Sequence, residues 1–168
     1  MKLKIKELAV LSLLGALMCA SDFLMDVLPN VHLIGVLIVA TTVVYRKKAI
    51  WAIYTYVFTL GLISGFPMWW IPYLYIWAVL WGMALLIPKK LSEWIKPVIY
   101  AVVCSLHGFM FGLLYSPSQA LMFGLNFKGT LAWIVAGLPF DMIHGVSNLC
   151  FGLLIYPIVK ILIRTTKQ

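Results

Sequence analysis

Apolar positions in this chain form long, nearly unbroken runs rather than period-2 alternation or narrow helical stripes. Six such runs cover residues 8–28, 31–45, 49–66, 70–87, 97–116 and 131–163. Breakers separate them: Pro29-Asn30, Arg46-Lys47-Lys48, Gly65-Phe66-Pro67, Pro88-Lys89-Lys90 and Ser116-Pro117-Ser118-Gln119. A bilayer-spanning helix needs about 20 apolar residues. An open-ended chain crosses lipid only as helix, because every backbone group must be paired internally. No ten-residue alternating segments of the β-barrel kind occur. The pattern therefore predicts an all-α, polytopic membrane protein with six transmembrane helices in a single domain, residues 1–168. The second run is short. The sixth begins irregularly, so its regular helix is expected to start at Pro139, which suits a first helical position.

Composition strengthens this reading. The chain is 64% hydrophobic and 11% charged, with a mean hydropathy of +1.03. Soluble domains run near 45–50% apolar and about 25% charged. Six spans take about 120 residues, which leaves no room for a second, water-soluble domain. No Gly-rich GK[S/T] phosphate loop appears either, so uphill transport would draw its energy from ions or from a partner. The start, Met1-Lys2-Leu3-Lys4-Ile5-Lys6, resembles a signal peptide but lacks a small-residue cleavage site, and reads as a first span that stays. Cys19, Cys104 and Cys150 are dispersed in apolar runs and read as packing residues.

Charge supplies the orientation. Of thirteen Lys and Arg, Lys2, Lys4 and Lys6 precede the first run, and Arg46, Lys47 and Lys48 separate the second from the third. Lys89, Lys90 and Lys96 lie between the fourth and fifth, and Lys160, Arg164 and Lys167 close the chain. Lys128 stands apart on the other side. By the positive-inside rule both termini are cytoplasmic, and the net charge of +8 reflects topology and anionic-lipid contact rather than nucleic acid. Function is then expected on the opposite, cation-poor side.

Few residues carry chemistry. Asp141, His144 and Asn148 recur at helical spacing and share one face. An ionisable group in a span is a functional candidate; Asp141 could equally cap the helix expected after Pro139. Counting about 20 residues back from Arg164 puts Asp141 near the outer boundary. His107 is the deepest ionisable residue, and the Gly108-x-x-x-Gly112 after it permits close helix approach. In "FPMWWIPYLYIWAVLW", Trp69 and Trp70 suit an interfacial aromatic belt. Tyr73, Trp77 and Trp81 form a stripe that can stack on a flat ligand or pack on neighbouring helices. The segment "SDFLMDVLPNVH" brings Asp22, Asp26, Asn30 and His32 into an outer loop that can cover a pocket, although a solvated turn explains Asp22 and Asp26 as well. Ala16 and Ala20, four apart, offer a small-residue face to another helix. No HExxH or GxSxG occurs, and three scattered histidines make no recognisable metal site. Neither cofactor nor metal is expected. Other classes remain open: an intramembrane enzyme using Asp141 and His144 as acid and base, or a non-catalytic assembly subunit.

Taken together, size, six runs, basic inner turns, Ala16-x-x-x-Ala20, "LHGFMFGLLY" and "AGLPFDMIHGVSNLCFGLLIYPIVKIL" resemble the substrate-binding S components of energy-coupling factor (ECF) vitamin transporters over nearly the whole chain. The resemblance implies that the chain binds a vitamin or heterocyclic precursor from outside and is not itself an enzyme. It also implies docking through Ala16 and Ala20 on a transmembrane coupling subunit that works with two cytoplasmic ATPases. In the thiamine-binding branch a span-five His and a span-six Asn reach the ligand. His107 matches the first position, and His144 or Asn148 stands at the second. That branch's span-four acid has no counterpart here, which argues against thiamine. The candidate binding set is His107, Asp141, His144, Asn148, Trp69, Trp70, Tyr73 and Trp77. Queuosine precursors, pyrimidine or pteridine compounds and cobalamin fragments suit such a set.

Overall fold

The computed structural model describes residues 4–28 and 30–166; Lys2, Lys167 and Pro29 of the patterns above lie outside them. The described residues form eight α-helices and no strand: α1 (Ile5–Met25), α2 (Ile34–Tyr45), α3 (Ile50–Ser64), α4 (Tyr73–Leu85), α5 (Lys96–Phe109), α6 (Phe111–Phe123), α7 (Phe127–Gly152) and α8 (Ile155–Thr166). Short 3₁₀ turns at Arg46–Ala49 and Met68–Trp70 lead into α3 and α4. Four helical segments are long and apolar enough to cross a bilayer: Ile5–Met25, Met68–Leu85, Lys96–Phe123 and Phe127–Gly152.

The helices are arranged inside out relative to a soluble fold. On α7 the outward residues are apolar, among them Leu131, Val135, Leu138, Met142, Val146 and Leu149. Its buried residues are Asp141, His144, Gly145, Asn148 and Gly152. Buried polar groups facing a bundle interior, with hydrocarbon-compatible side chains outside, are what lipid demands. Helix α2 is apolar on every side, and such a helix must be enclosed. Accordingly every residue from Ile34 to Thr42 is buried, with α4, α8, α1, α5 and α7 around it.

Three sequence-level expectations are overturned. Ser116-Pro117-Ser118-Gln119 does not end a helix; Pro117 lies inside α6. Proline removes an N–H and so frees the carbonyl four residues earlier. Ser116 Oγ donates to that carbonyl, on Leu113, at 2.9 Å. The Tyr75 hydroxyl donates to the next one, on Leu114, at 2.8 Å. With these replacements the helix tolerates the ring. Pro139 does not start a helix either. It lies within α7, which begins at Phe127 with the Asn126 side chain accepting from Gly129 N–H at 2.8 Å as the cap. Finally, the last run is two helices, because the chain turns at Leu153–Leu154 and restarts as α8. Counting back from Arg164 therefore misplaced Asp141, which sits midway along α7. Of the cysteines, Cys150 is exposed rather than packed.

The closest seam joins α5–α6 to α7. A Cβ on Gly108 would stand 2.9 Å from Gly145 Cα, and one on Gly145 would stand 2.3 Å from the Phe109 ring. Glycine at both positions lets the helices meet at backbone distance.

The basic turns converge at one end. Lys48 Nζ lies 2.6 Å from Glu7 Oε1, which ties the α2–α3 turn to the start of α1. The Arg46 guanidinium donates to the carbonyls of Leu85 at 2.5 Å and Ile87 at 3.3 Å, at the end of α4.

Candidate functional site

At the opposite end a cavity of about 380 Å³ opens among α1, the α1–α2 loop, the α3–α4 connection, α6 and α7. Ligand pockets typically measure about 300–1,000 Å³. Asp22, Asp26, Asn30 and His32 come to its wall from one side, and Trp69, Tyr73, Phe111 and His144 from the other. Among the described residues no Lys or Arg lines it.

Local structure explains how each group arrives. Trp69 and Tyr73 stand four apart across the start of α4, and Tyr73 is four before Trp77. The rings meet edge to face in series, 5.7 Å from Trp69 to Tyr73 and 5.5 Å from Tyr73 to Trp77. This stripe descends from the cavity into a cluster of rings. Trp77 lies 5.7 Å from His107 and 5.8 Å from His32. Phe111 lies 4.9 Å from His144, and His32 and His144 stand 4.6 Å apart at 70°. All three histidines of the chain thus belong to one aromatic cluster, with His32 and His144 at the cavity wall and His107 behind it.

Their hydrogen bonding is incomplete. His107 Nε2 lies 3.1 Å from the Ile76 carbonyl. A carbonyl only accepts, so Nε2 carries the proton and Nδ1 is an acceptor. That Nδ1, together with His32 Nδ1, His144 Nε2 and Trp77 Nε1, is buried without a hydrogen-bond partner in the protein. Each such atom costs about 1–3 kcal/mol. Among the described residues seven buried side-chain atoms lack a partner, and four of them gather in this one ring cluster. Burial, reinforced by the neighbouring His107, lowers the His32 pKa from its usual value to about 4, so this imidazole is neutral at pH 7.

Of the residues predicted from sequence, Trp69, Tyr73 and His144 reach the cavity wall, while His107 and Trp77 form the layer behind it. The other three do not line the cavity. Trp70 is buried, with its Nε1 donating to the Val57 carbonyl at 2.7 Å. Asn148 lies deeper along α7, with Nδ2 donating to Cys104 O at 3.4 Å. Asp141 Oδ1 accepts from Gly112 N–H at 2.9 Å. Gly112 is the second residue of α6, whose first N–H groups have no partner within the helix. Asp141 therefore does cap a helix, but the capped helix is α6, reached across the seam. A Cβ on Gly112 would come within 2.4 Å of Asp141 Oδ2, so glycine is needed there. Asp141 and His144, the acid–base pair of the enzyme reading, are not presented together on the cavity wall.

His32, Asp22, Asp26 and Asn30 were legible only as a possible covering loop. Here they form the wall. Tyr56 donates to Asp22 Oδ2 at 2.9 Å, and the single Ser147 hydroxyl proton is shared between the His144 carbonyl at 3.0 Å and the Asn30 carbonyl at 3.2 Å, which brings the loop against α7. The available signal was the rarity of histidine, with one of only three placed beside Asn30. Ala16 and Ala20 sit on the exposed face of α1 with Leu13, Leu17 and Leu24. Gly15 faces the other way, where a Cβ would be 2.6 Å from the Ala52 carbonyl oxygen of α3. Among the described residues no three His, Cys, Asp or Glu side chains converge to hold a metal ion. Comparison with protein-family profiles, characterised proteins and solved structures finds no match to this chain.

Proposed function

We propose that the chain is the solute-binding membrane subunit of an ECF-type importer. It spans the cell membrane six times, with both termini and the basic turns cytoplasmic, and takes its ligand from outside. The six spans are α1, α2, α3, α4, the broken pair α5–α6, and α7 with α8. The observation that carries this reading is the cavity at the cation-poor end, walled by His32, Trp69, Tyr73 and His144 above a cluster of imidazole and indole nitrogens that lack partners. A stripe of rings suits a flat ligand, and unpaired imidazole nitrogens suit one bearing hydrogen-bond groups. With Asp22 and Asp26 on the wall and no cation among the described residues opposite, the ligand is a neutral or cationic heterocycle rather than a carboxylate or phosphate. Uptake is driven by partner ATPases through a coupling subunit that meets the small-residue face of α1, where Ala16 and Ala20 are exposed.

The test is native mass spectrometry of the gently purified protein, with His144→Ala alongside. A bound heterocycle in the wild type, with occupancy falling about tenfold in the variant, is the expected result; one lost polar contact of about 1.4 kcal/mol corresponds to that factor. No retained small molecule and no co-purifying ATPase would remove the importer reading.

A further inference from the structure

The basic end carries a second cavity, of about 530 Å³, where the end of α2, the α4–α5 connection, the start of α5 and α8 come together. Arg46, Lys89, Lys96 and Lys160 line it, against a single acid, Glu93. The rest of its wall is largely apolar, including Val43, Ile87, Val159 and Ile163.

Glu93 is already engaged. Its carboxylate pairs with Lys96 and accepts from the Tyr156 hydroxyl. The Lys96 ammonium beside it holds its pKa below the usual carboxylate range. Among the described residues none of the other three cations forms a direct ion pair, although Glu93 also feels the charge of Lys160. Arg46 is held by the Leu85 and Ile87 carbonyls, which orient the guanidinium without neutralising it. Its backbone φ is +51°, an unfavourable geometry for a side-chain-bearing residue that persists only when its surroundings enforce it. The Lys160 ammonium rests 4.3 Å from the centre of the Tyr156 ring. Lys89 is exposed at the rim.

We propose that this cleft binds an anionic phospholipid, with its phosphate among Arg46, Lys89 and Lys160 and an acyl chain against Val43, Ile87 and Val159. Two observations select a lipid over a small soluble anion. The cations stand beside a hydrocarbon-lined wall that phosphate alone would leave exposed to water. The cleft also lies at the end of membrane-length segments: Lys96 begins one and Leu85 ends another. Basic pockets between helices at this level recognise lipid head groups, and arginine fixed by backbone carbonyls suits a phosphate oxygen pair. The proposal rests on none of the cavity residues at the opposite end, so either can fail alone.

The experiment uses delipidated, detergent-purified protein titrated with phosphatidylglycerol or phosphatidylcholine of the same acyl chains, and counts retained lipid by native mass spectrometry. Phosphatidylglycerol is expected to be retained about tenfold better. In Lys89→Ala/Lys160→Ala, both exposed positions, that preference falls about tenfold. Glu93→Gln, which removes the competing negative charge, raises it. Excess inorganic phosphate leaves the lipid bound. Equal retention of the two lipids overturns the proposal, as does an unchanged preference in both variants. Displacement by phosphate alone shows a plain anion site and also overturns it. A double variant that keeps its lipid but loses a co-purifying protein identifies the cleft as a protein contact, with the same consequence.

Discussion

The two ends of this molecule solve opposite problems with cavities of similar size. At the cation-poor end, polar groups are fixed by specific neighbours: His144 packs against the His32 and Phe111 rings, and Asp22 is bonded by Tyr56. At the basic end, charges are plentiful, and their order comes from backbone carbonyls, a ring face and one shared acid. The difference teaches where energy is concentrated. A buried polar group that loses its partner costs about 1–3 kcal/mol, whereas an exposed ion pair contributes about 0–1 kcal/mol. One end is therefore sensitive to packing, and the other to ionic strength.

The sharpest way to break this contrast is at the glycine seam. Gly145→Val should cost up to about 3 kcal/mol by forcing α7 off Phe109, while Gly137→Val, with open space around it, should melt like wild type. Equal melting of the two in detergent would deny the seam its role. The next largest effect compares a buried acid with one at the basic end. Asp141→Ala should lower stability by about 1–3 kcal/mol by orphaning Gly112 N–H, whereas Glu7→Ala, which removes the solvent-screened Lys48 pair, should shift melting much less. Thermal unfolding measures both, and comparable losses would erase the distinction between them.

Acid should separate the ends as well. His32 has a folded pKa of about 4 against about 6.5 unfolded. Its contribution is complete above about pH 6.5 and is lost as pH falls towards 4, because the unfolded chain takes up the proton first. Glu93, held below the usual carboxylate range by Lys96, begins to matter only once the pH falls into that range. Melting curves across this range should flatten between pH 6.5 and 4.5 in His32→Gln and stay unchanged in Glu93→Gln. The reverse pattern would show that burial at the cavity has been overstated. The smallest effect on stability belongs to Ala16→Trp and Ala20→Trp. Both side chains face outward, so melting should hardly change, yet bulk on that face keeps a partner helix away. Undiminished co-purification of a coupling subunit would remove α1 as the docking face.

Sequence alone determined what depends on local periodicity. Runs of apolar residues specified helices, the spacing of Asp141, His144 and Asn148 specified a shared inward face, and Gly108 and Gly112 announced a close approach. The charge pattern foretold that the basic turns of Arg46–Lys48 and Lys89–Lys96 would gather at one end. Tertiary structure decided the partner of each face, because that depends on residues far apart in the chain. Pro117 stays helical because Ser116, its neighbour in the chain, takes up the carbonyl it frees, while Tyr75 from another helix adds a bond to Leu114. Asp141 serves a helix that starts thirty residues before it, since the carboxylate and Gly112 meet only when α5–α6 and α7 pack. His32 joins the cavity because its ring packs against Trp77 of α4 and His144 of α7, residues far from it in the chain. Local pattern encodes which side of a helix is polar; only packing brings the opposite polar group, and so the role, to that side.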